Sequence, residues 1–276
     1  MSGNLPGTLP MASGGAHAIG PTDAAHGDGN VHAQAPAPEA AGPAATAAVA
    51  QVAGARSAGW PGFRRVATVL ERDPASAERR VARAAEAADV VEVRLDAVWT
   101  SPPDPDAATD LLLRLRGATT RPLLATLRPR RQGGHFEGAE GARLGLLAAA
   151  RLAGFDAIDV EDDNQDLGSL LRALRQDETP VVLSRHLAAP LPCRDDLLSL
   201  LLRQQDHGGA LHKLAFDAGS YLDFLRALEL AHTHAARGGK PCILPLGYGG
   251  AEGRALLSLA GNRAAYGHDG EGGVPG

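Results

Sequence analysis

The chain has 276 residues, and its 27 Lys+Arg against 32 Asp+Glu give a formal net charge of -5 at pH 7, which argues against a nucleic-acid partner because binding through counterion release needs a basic face. The two cysteines, Cys193 and Cys242, are too few for a disulfide scaffold and lack the spacing of a zinc site, which indicates a reducing cytoplasm. No stretch has the length of a membrane helix or the pattern of a secretion signal, so neither a membrane partner nor export is expected.

Residues 1–58 contain almost no large apolar side chains, and Asp23, Asp28 and Glu39 are their only charged residues before Arg56. Such a segment cannot bury enough apolar surface to offset the entropy lost on ordering. We therefore predict a disordered tail over residues 1–58. Its histidines lack the regular spacing of metal ligands, so no metal site is expected there.

From residue 59 onward, short β-rich runs alternate with longer segments of helical period. Such alternation requires parallel strands joined by right-handed crossovers. The absence of a G-x-G-x-x-G after an early strand disfavours an open dinucleotide-binding sheet. The expected fold class is therefore α/β, a (β/α)8 TIM barrel over residues 59–276. The predicted strands are Arg65–Glu71, Val90–Asp96, Pro122–Arg128, Ala157–Glu161, Pro180–His186, Ala210–Phe216, Pro241–Gly247 and Arg263–Gly267, and the predicted helices are Ser76–Ala87, Asp106–Gly117, Ala139–Gly154, Leu167–Gln176, Asp195–Asp206, Tyr221–Ala236 and Ala251–Leu259.

Several of these strands carry polar or charged residues at every second position. In the second strand, the two-residue period places Glu92, Arg94 and Asp96 on one face and apolar residues on the other. A parallel strand covered on both sides should instead be nearly all apolar. A buried ionic network stabilises a fold poorly, so this pattern favours an active site at the carboxyl ends of the barrel strands. The later residues in the same phase are Thr126, Arg128, Asp159, Glu161, Ser184 and His186.

Lys213 and Lys240 are the only lysines of the chain, which otherwise uses arginine as its cation. Lys213 lies within a predicted strand, whereas Lys240 follows two glycines in a predicted loop. A guanidinium cannot lose its proton, but a desolvated amine can attack a ketone and form a Schiff base, which favours Lys213 as a nucleophile. The alternative is a structural ion pair between Lys213 and Asp159 or Glu161.

Two further residues are candidates for the same site. His186 ends the strand next to that of Lys213, and it is expected to provide the general acid–base step that Schiff-base chemistry requires. Arg254 follows the Gly-rich loop at residues 247–250, and it is expected to face the same opening, where backbone amides can approach an anion.

The motifs from about residue 64 to the C-terminus resemble those of the type I 3-dehydroquinate dehydratases of the shikimate pathway. The spacing agrees across six strands, which makes the resemblance specific. The matching segments are Glu92-Val93-Arg94-Leu95-Asp96 for E-x-R-x-D, Thr126-Leu127-Arg128 with Gln132-Gly133-Gly134 for F-R-x-x-x-E-G-G, Ser184-Arg185-His186 for S-x-H, His212-Lys213-Leu214-Ala215 for P-K-x-A, and the closing residues Gly247, Gly250, Arg254, Gly261, Tyr266-Gly267 and Pro275-Gly276.

The resemblance implies a hydro-lyase that removes water from 3-dehydroquinate, gives 3-dehydroshikimate and needs no metal or organic cofactor. Lys213 would form an iminium with the C3 ketone. His186 would remove a C2 proton, later protonate the leaving C1 hydroxyl and assist hydrolysis of the Schiff base. The substrate-binding roles fall on Arg254 for the carboxylate and on Glu92, Arg94 and Arg128 for the ring hydroxyls.

Three positions depart from the family pattern. The loop Glu that pairs with the catalytic His is Gln132 here, whose amide is expected to hydrogen-bond the imidazole without stabilising its charge. The lid Ser is Gly273, and the chain stops at Gly276, one residue before the family's lid Gln. Glu137 is a candidate to reach His186 in place of the lost carboxylate.

Two alternatives stay open beside the active dehydratase. One keeps Lys213 as a Schiff-base residue on another ketone, as in aldolase-type barrels. The other is an accessory or binding protein that keeps the pocket but has lost turnover. The main hypothesis has a small-molecule substrate, no nucleic-acid or membrane partner and a cytoplasmic location, and it leaves a homodimer open.

Overall fold

The structure is a computed structural model, and it describes residues 64–164, 167–174, 179–247 and 250–267. The tail predicted for residues 1–58 and the predicted lid residue Gly273 lie outside the described residues. The domain boundary between residues 58 and 59 therefore stays a prediction. No described helix is long and apolar enough to cross a membrane.

Strands and helices alternate along the described chain as the sequence predicts. The strands are β1 (Arg64–Val69), β2 (Val90–Arg94), β3 (Leu123–Thr126), β4 (Ala157–Glu161), β5 (Val181–Leu187), β6 (Leu211–Ala218), β7 (Pro241–Gly247) and β8 (Ala264–Gly267). The helices are α1 (Pro74–Ala87), α2 (Leu95–Val98), α3 (Pro105–Gly117), α4 (Glu140–Leu152), α5 (Leu167–Leu174), α6 (Arg194–Asp206), α7 (Tyr221–Ala236) and α8 (Gly250–Leu259), with a 3₁₀ turn at Arg130–Gln132.

The eight described strands form one parallel sheet in the order β7-β6-β5-β4-β3-β2-β1-β8. Asn262 joins the two edge strands, because its side-chain oxygen accepts from the Ile243 N–H at 2.9 Å and its amide donates to the Ile243 carbonyl at 2.9 Å. The Arg263 N–H also donates to the Pro241 carbonyl at 2.7 Å. The sheet is thus a nearly closed barrel surrounded by helices, and the predicted (β/α)8 fold is confirmed.

Local sequence signals explain where several helices begin. The Asp73 carboxylate accepts from the Ser76 N–H at 2.7 Å, and Pro74 occupies the first helical position of α1, where its missing N–H costs nothing. At α7, the Ser220 hydroxyl accepts from the Asp223 N–H at 3.3 Å. Both caps lie just after a strand, so each strand is followed at once by its crossover helix.

The barrel interior has an apolar floor below a polar upper part. Small and branched side chains from the first halves of the strands fill this floor, while a separate apolar layer packs between the strands and the helices. Dry packing of the floor excludes water from below the charged residues. The floor consists of Val66, Val90, Leu124, Ala157, Val182, Leu211, Cys242 and Ala264.

Three strands end two residues earlier than predicted, and the first of them, β1, stops at Val69. β2 stops at Arg94, and Asp96 lies in the helical turn α2; β3 stops at Thr126. The buried Asp96 carboxylate accepts from the backbone N–H of Arg128 at 3.2 Å and of His135 at 3.0 Å. A side chain thus satisfies backbone donors that a longer strand would have paired, and this contact between distant residues leaves no local signal in the sequence.

Candidate active site

Lys213 lies on the inner face of β6 and is 1% exposed. Its Nζ is 2.9 Å from Asp159 Oδ2 and 3.3 Å from Glu92 Oε1. The same Nζ lies 4.2 Å from the centre of the Tyr266 ring. The ion pair with Asp159 forms, whereas Glu161 pairs with the buried Arg143, at 2.7 Å. The amine is therefore held from three sides above the apolar floor.

The carboxylates beside Lys213 are arranged to stay ionised. Burial by itself would raise the pKa of Asp159 and of Glu92, but Lys213 and Arg128 outweigh it, so the pKa of each lies below its ordinary value. Glu92 also accepts from the hydroxyls of Thr68 and Thr126, both at 2.8 Å. Each carboxylate presents a fixed negative charge to the Lys213 amine.

His186 lies on the same inner face as Lys213, closer to the rim. Ser184 is the register partner of Lys213, and His186 lies two residues beyond it on β5, so both side chains point into the barrel. An Arg128 Nη1–H donates to His186 Nε2. Burial, and after it the positive charges of Arg128 and Lys213, hold the pKa of His186 well below its usual range. The imidazole is thus neutral at neutral pH.

Gln132 contacts the backbone of His186 and not its ring, so the predicted hydrogen bond to the imidazole is wrong. Gln132 Oε1 accepts from the His186 N–H at 2.9 Å, because the 3₁₀ turn packs against β5 and aligns the amide with the strand. Among the described residues, His186 Nδ1 has no hydrogen-bond partner. Glu137 does not replace the missing carboxylate either, because it is exposed and forms an ion pair with Arg130.

The predicted substrate-binding arginines lie at the rim, and each has carboxylate partners. Arg94 is held by Asp96 through two hydrogen bonds of 2.8 Å each. Arg128 is buried and, besides His186, lies 3.3 Å from Asp159 Oδ2 and 3.6 Å from Glu161 Oε1. Because carboxylates hold both guanidiniums, their donors are oriented before a substrate arrives. Glu92 accepts from Lys213 and from the two threonines, and its predicted contact with a ring hydroxyl stays a prediction.

Arg254 is partly buried on α8 and forms no ion pair with any described residue. With Leu244 and Tyr266 it lines a cavity of about 60 Å³ between β7, β8 and α8. Arg254 and the inner-face residue Tyr266 thus line one cavity, and the role of Arg254 as a carboxylate clamp stays a prediction.

A cavity of about 500 Å³ opens beside the carboxyl ends of β5, β6 and β7, where Leu191, Asp217 and Leu246 are among its lining residues. It lies at the end of the barrel at which active sites of this fold lie, but neither Lys213 nor His186 lines it.

Sequence reasoning placed Asp159 on the inner face but gave it no catalytic part, and it used Tyr266 only as a family marker. The structure brings both to the amine of Lys213. The two-residue period of the strands could have placed both side chains inward. Tyr266 lies two residues after the inward Ala264, and Asp159 lies two residues before the inward Glu161.

The sequence and the fold are similar to those of known proteins. The family model described as Type I 3-dehydroquinase matches residues 66–276. The 3-dehydroquinate dehydratase of Methanococcoides burtonii is 29% identical over 182 residues, covering 65% of this chain and 75% of that protein. That of Methanothrix thermoacetophila is 32% identical over 196 residues, covering 70% and 79%. A crystal structure of the Geobacillus kaustophilus 3-dehydroquinate dehydratase has a TM-score of 0.71 at 24% identity, covering 78% of this chain and 86% of that one.

Proposed function

The chain belongs to the type I 3-dehydroquinase family, which makes it a hydro-lyase of 3-dehydroquinate, and we propose that Lys213 and His186 carry out this reaction. The single observation that carries the proposal is the buried Lys213 amine, held by Asp159 and Glu92 on the inner face that it shares with His186. The resemblance and the geometry both support a role for these two side chains in the chemistry.

The first step is formation of a Schiff base. The Lys213 ammonium gives up a proton, for which Asp159 is the nearest acceptor at 2.9 Å. The free amine attacks C3 of the substrate, and the carbinolamine loses one water to give an iminium. The positive charge on nitrogen then draws electrons from the adjacent C2–H bond, so the protein itself supplies the electron sink.

The second step is removal of the C2 proton by His186. A neutral imidazole is needed for this, and burial beside Arg128 and Lys213 provides one by lowering the pKa of His186. Because Arg128 donates to Nε2, that lone pair becomes available only when the substrate draws the guanidinium away. The imidazolium then protonates the C1 hydroxyl as it leaves, and one water hydrolyses the iminium, so the net change is the loss of one water.

A charge-conserving substitution tests the proposal. Lys213→Arg keeps a cation beside Asp159 and Glu92 but has no amine that can form an imine. We expect turnover, followed by the ultraviolet absorbance of the conjugated enone product, to fall by at least ~10³-fold. Lys240→Arg, at the only other lysine, is the matched control and should keep wild-type turnover. An active Lys213→Arg variant with a native circular dichroism spectrum would contradict the proposal.

The small-molecule substrate fits the family, and we extend the proposal to the protein's setting. A net charge of -5 supports action without a nucleic-acid partner, and two cysteines without a bonded partner support a cytoplasmic location. A homodimer stays a prediction, which light scattering of the full chain would test.

A further inference from the structure

Tyr266 contacts the reacting atom of the proposed site. Its position on β8 is in register with Val66 of β1, whose side chain is part of the barrel floor, so the Tyr266 side chain also points inward. The centre of its ring lies 4.2 Å from Lys213 Nζ, within the range of a cation–π contact. The aromatic face therefore covers one side of the amine, while Asp159 and Glu92 cover others.

The Tyr266 hydroxyl is buried and has no hydrogen-bond partner among the described residues. A buried hydroxyl without a partner costs free energy, and in a native structure it calls for a reason such as a ligand that completes it. Burial, with Glu92 and Cys242 as lesser causes, raises the pKa of Tyr266 well above its usual range. The group is therefore a neutral phenol with a proton to donate.

On the basis of the proposed function, we infer that Tyr266 is a further catalytic residue, whose hydroxyl donates a hydrogen bond to the C3 oxygen of the substrate while Lys213 attacks. The ring lies against Nζ, and the hydroxyl extends beyond the ring edge. An oxygen attached to the carbon that Nζ is joining comes within reach of this donor. Glu92 is an ionised acceptor and cannot serve that oxygen as a donor.

The hydrogen bond acts where charge develops. As the N–C3 bond forms, the π electrons of the C3 carbonyl move onto its oxygen, and the nitrogen becomes positive. The Tyr266 donor stabilises this oxygen until it has taken a proton, and the C–O bond then breaks to release water and leave the iminium. A donor fixed before the reaction needs no reorganisation at that moment, as in an oxyanion hole.

Tyr266→Phe removes the hydroxyl and keeps the ring that covers Nζ. We expect imine formation, measured by rapid mixing with 3-dehydroquinate and quenching with borohydride, to slow by ~10²-fold. Binding of quinate, which has a hydroxyl in place of the C3 ketone, should keep its Kd, because this donor serves the developing oxyanion. Tyr221→Phe, at an exposed tyrosine on α7, is the matched control and should trap at the wild-type rate.

The outcomes separate this inference from the proposed function. If the wild-type protein traps substrate on Lys213 and Tyr266→Phe traps it equally fast, the inference alone is overturned. If quinate binding weakens as much as imine formation slows, the hydroxyl has a general packing or binding role and the inference is also overturned. If the wild-type protein traps nothing, the proposed function fails and the inference fails with it.

Discussion

At the residue scale, the site keeps two neighbouring groups deprotonated, one as a charged carboxylate and the other as a neutral imidazole. The pKa of Asp159 lies below its ordinary value because cations outweigh its burial, whereas the pKa of His186 is lowered because burial and the same cations disfavour imidazolium. A carboxylate and a neutral base therefore coexist around Lys213. This separation of roles is how a single cavity accommodates both an acceptor for the amine proton and a base for carbon.

Replacing Gln132 tests how the charge beside His186 sets the pKa of that imidazole. A carboxylate at this position, next to the His186 N–H, favours imidazolium and raises the pKa of His186. For Gln132→Glu we expect turnover near neutral pH to rise by about tenfold, or about 1.4 kcal/mol in the barrier, because the charge stabilises the imidazolium formed with the C2 proton. The acid limb of the kcat profile should move to higher pH, since the base must be neutral to act.

Glu137→Gln is the control for Gln132→Glu, because Glu137 is exposed and paired with Arg130. Its kcat profile should match that of the wild-type protein. Unchanged turnover and an unmoved acid limb in Gln132→Glu would mean that the charge at this position does not limit the reaction.

The sequence anticipated most inner-face residues but not their partners. Alternation along β2, β5 and β6 placed Glu92, His186 and Lys213 inward, because a two-residue period leaves no other choice once one face is apolar. The hydrogen-bond partner of Gln132 and the orientation of the Glu137 side chain depend on how a loop folds over the rim. Residue spacing does not determine that path, so both expectations were wrong.

At the element scale, the segment between β3 and α4 brings several site residues together. It carries Arg128 and Gln132 to His186, and the His135 N–H and Nδ1 to Asp96. Gly134 lies so close to Arg128 that an added Cβ would be 2.1 Å from the Arg128 carbonyl oxygen. The glycine is therefore needed for close approach of two backbone segments.

Gly134→Ala should displace Arg128. We expect a loss of about 1–3 kcal/mol in the free energy of unfolding, as for other overpacked positions, together with a lower kcat. Denaturant unfolding and the enone assay measure the two effects. Gly145→Ala, on an exposed face of α4 where a Cβ meets nothing within 4 Å, should instead gain about 0.5–1 kcal/mol. Equal stability of the two variants would refute the close-approach argument.

Element order and type followed from periodicity and turn residues, and the seven predicted helices and eight strands end within two residues of the observed bounds. The helical turn α2 and the 3₁₀ turn at Arg130–Gln132 were not predicted. Both are too short for a period to show, and both are stabilised by contacts with distant parts of the chain, such as the one between Asp96 and Arg128.

At the scale of the whole molecule, a buried histidine pair ties the barrel to a surrounding helix. His212 of β6 and His234 of α7 are joined by a 2.7 Å contact between Nδ1 and Nε2. The Lys240 N–H donates to His212 Nδ1 at 3.2 Å, and His212 Nε2 faces the Gly209 carbonyl at 3.2 Å. His212 must therefore carry its proton on Nε2, and His234 donates to it. Both rings are neutral in this arrangement.

This pair makes stability depend on pH. Burial is the main cause that lowers the pKa of each histidine to about 4, with His234 adding to it at His212 and Arg237 at His234. In the unfolded chain each histidine binds a proton as the pH falls below about 6.5, whereas in the folded chain it stays neutral until about pH 4. The free energy of unfolding is therefore highest above pH 6.5 and decreases as the pH falls toward 4. Each histidine contributes up to about 1.4 kcal/mol per pH unit within this window.

Replacing His234 tests the linkage. His234→Gln keeps an N–H donor toward His212 and removes one titrating group. We expect its free energy of unfolding to fall less steeply than that of the wild-type protein between pH 6.5 and pH 5. The two slopes should differ by the uptake of about one proton on unfolding. Urea unfolding at several pH values gives both slopes. Parallel slopes would show that His234 is not the group that titrates.

The whole mechanism depends on a covalent imine between Lys213 and the substrate, and borohydride reduction of the full chain in the presence of 3-dehydroquinate can capture it. Reduction turns the imine into a stable amine that trypsin cannot cleave after. We expect mass spectrometry to find the adduct on the peptide of residues 204–226, uncut at Lys213. An adduct on Lys240, or rapid formation of 3-dehydroshikimate with no adduct at all, would contradict it.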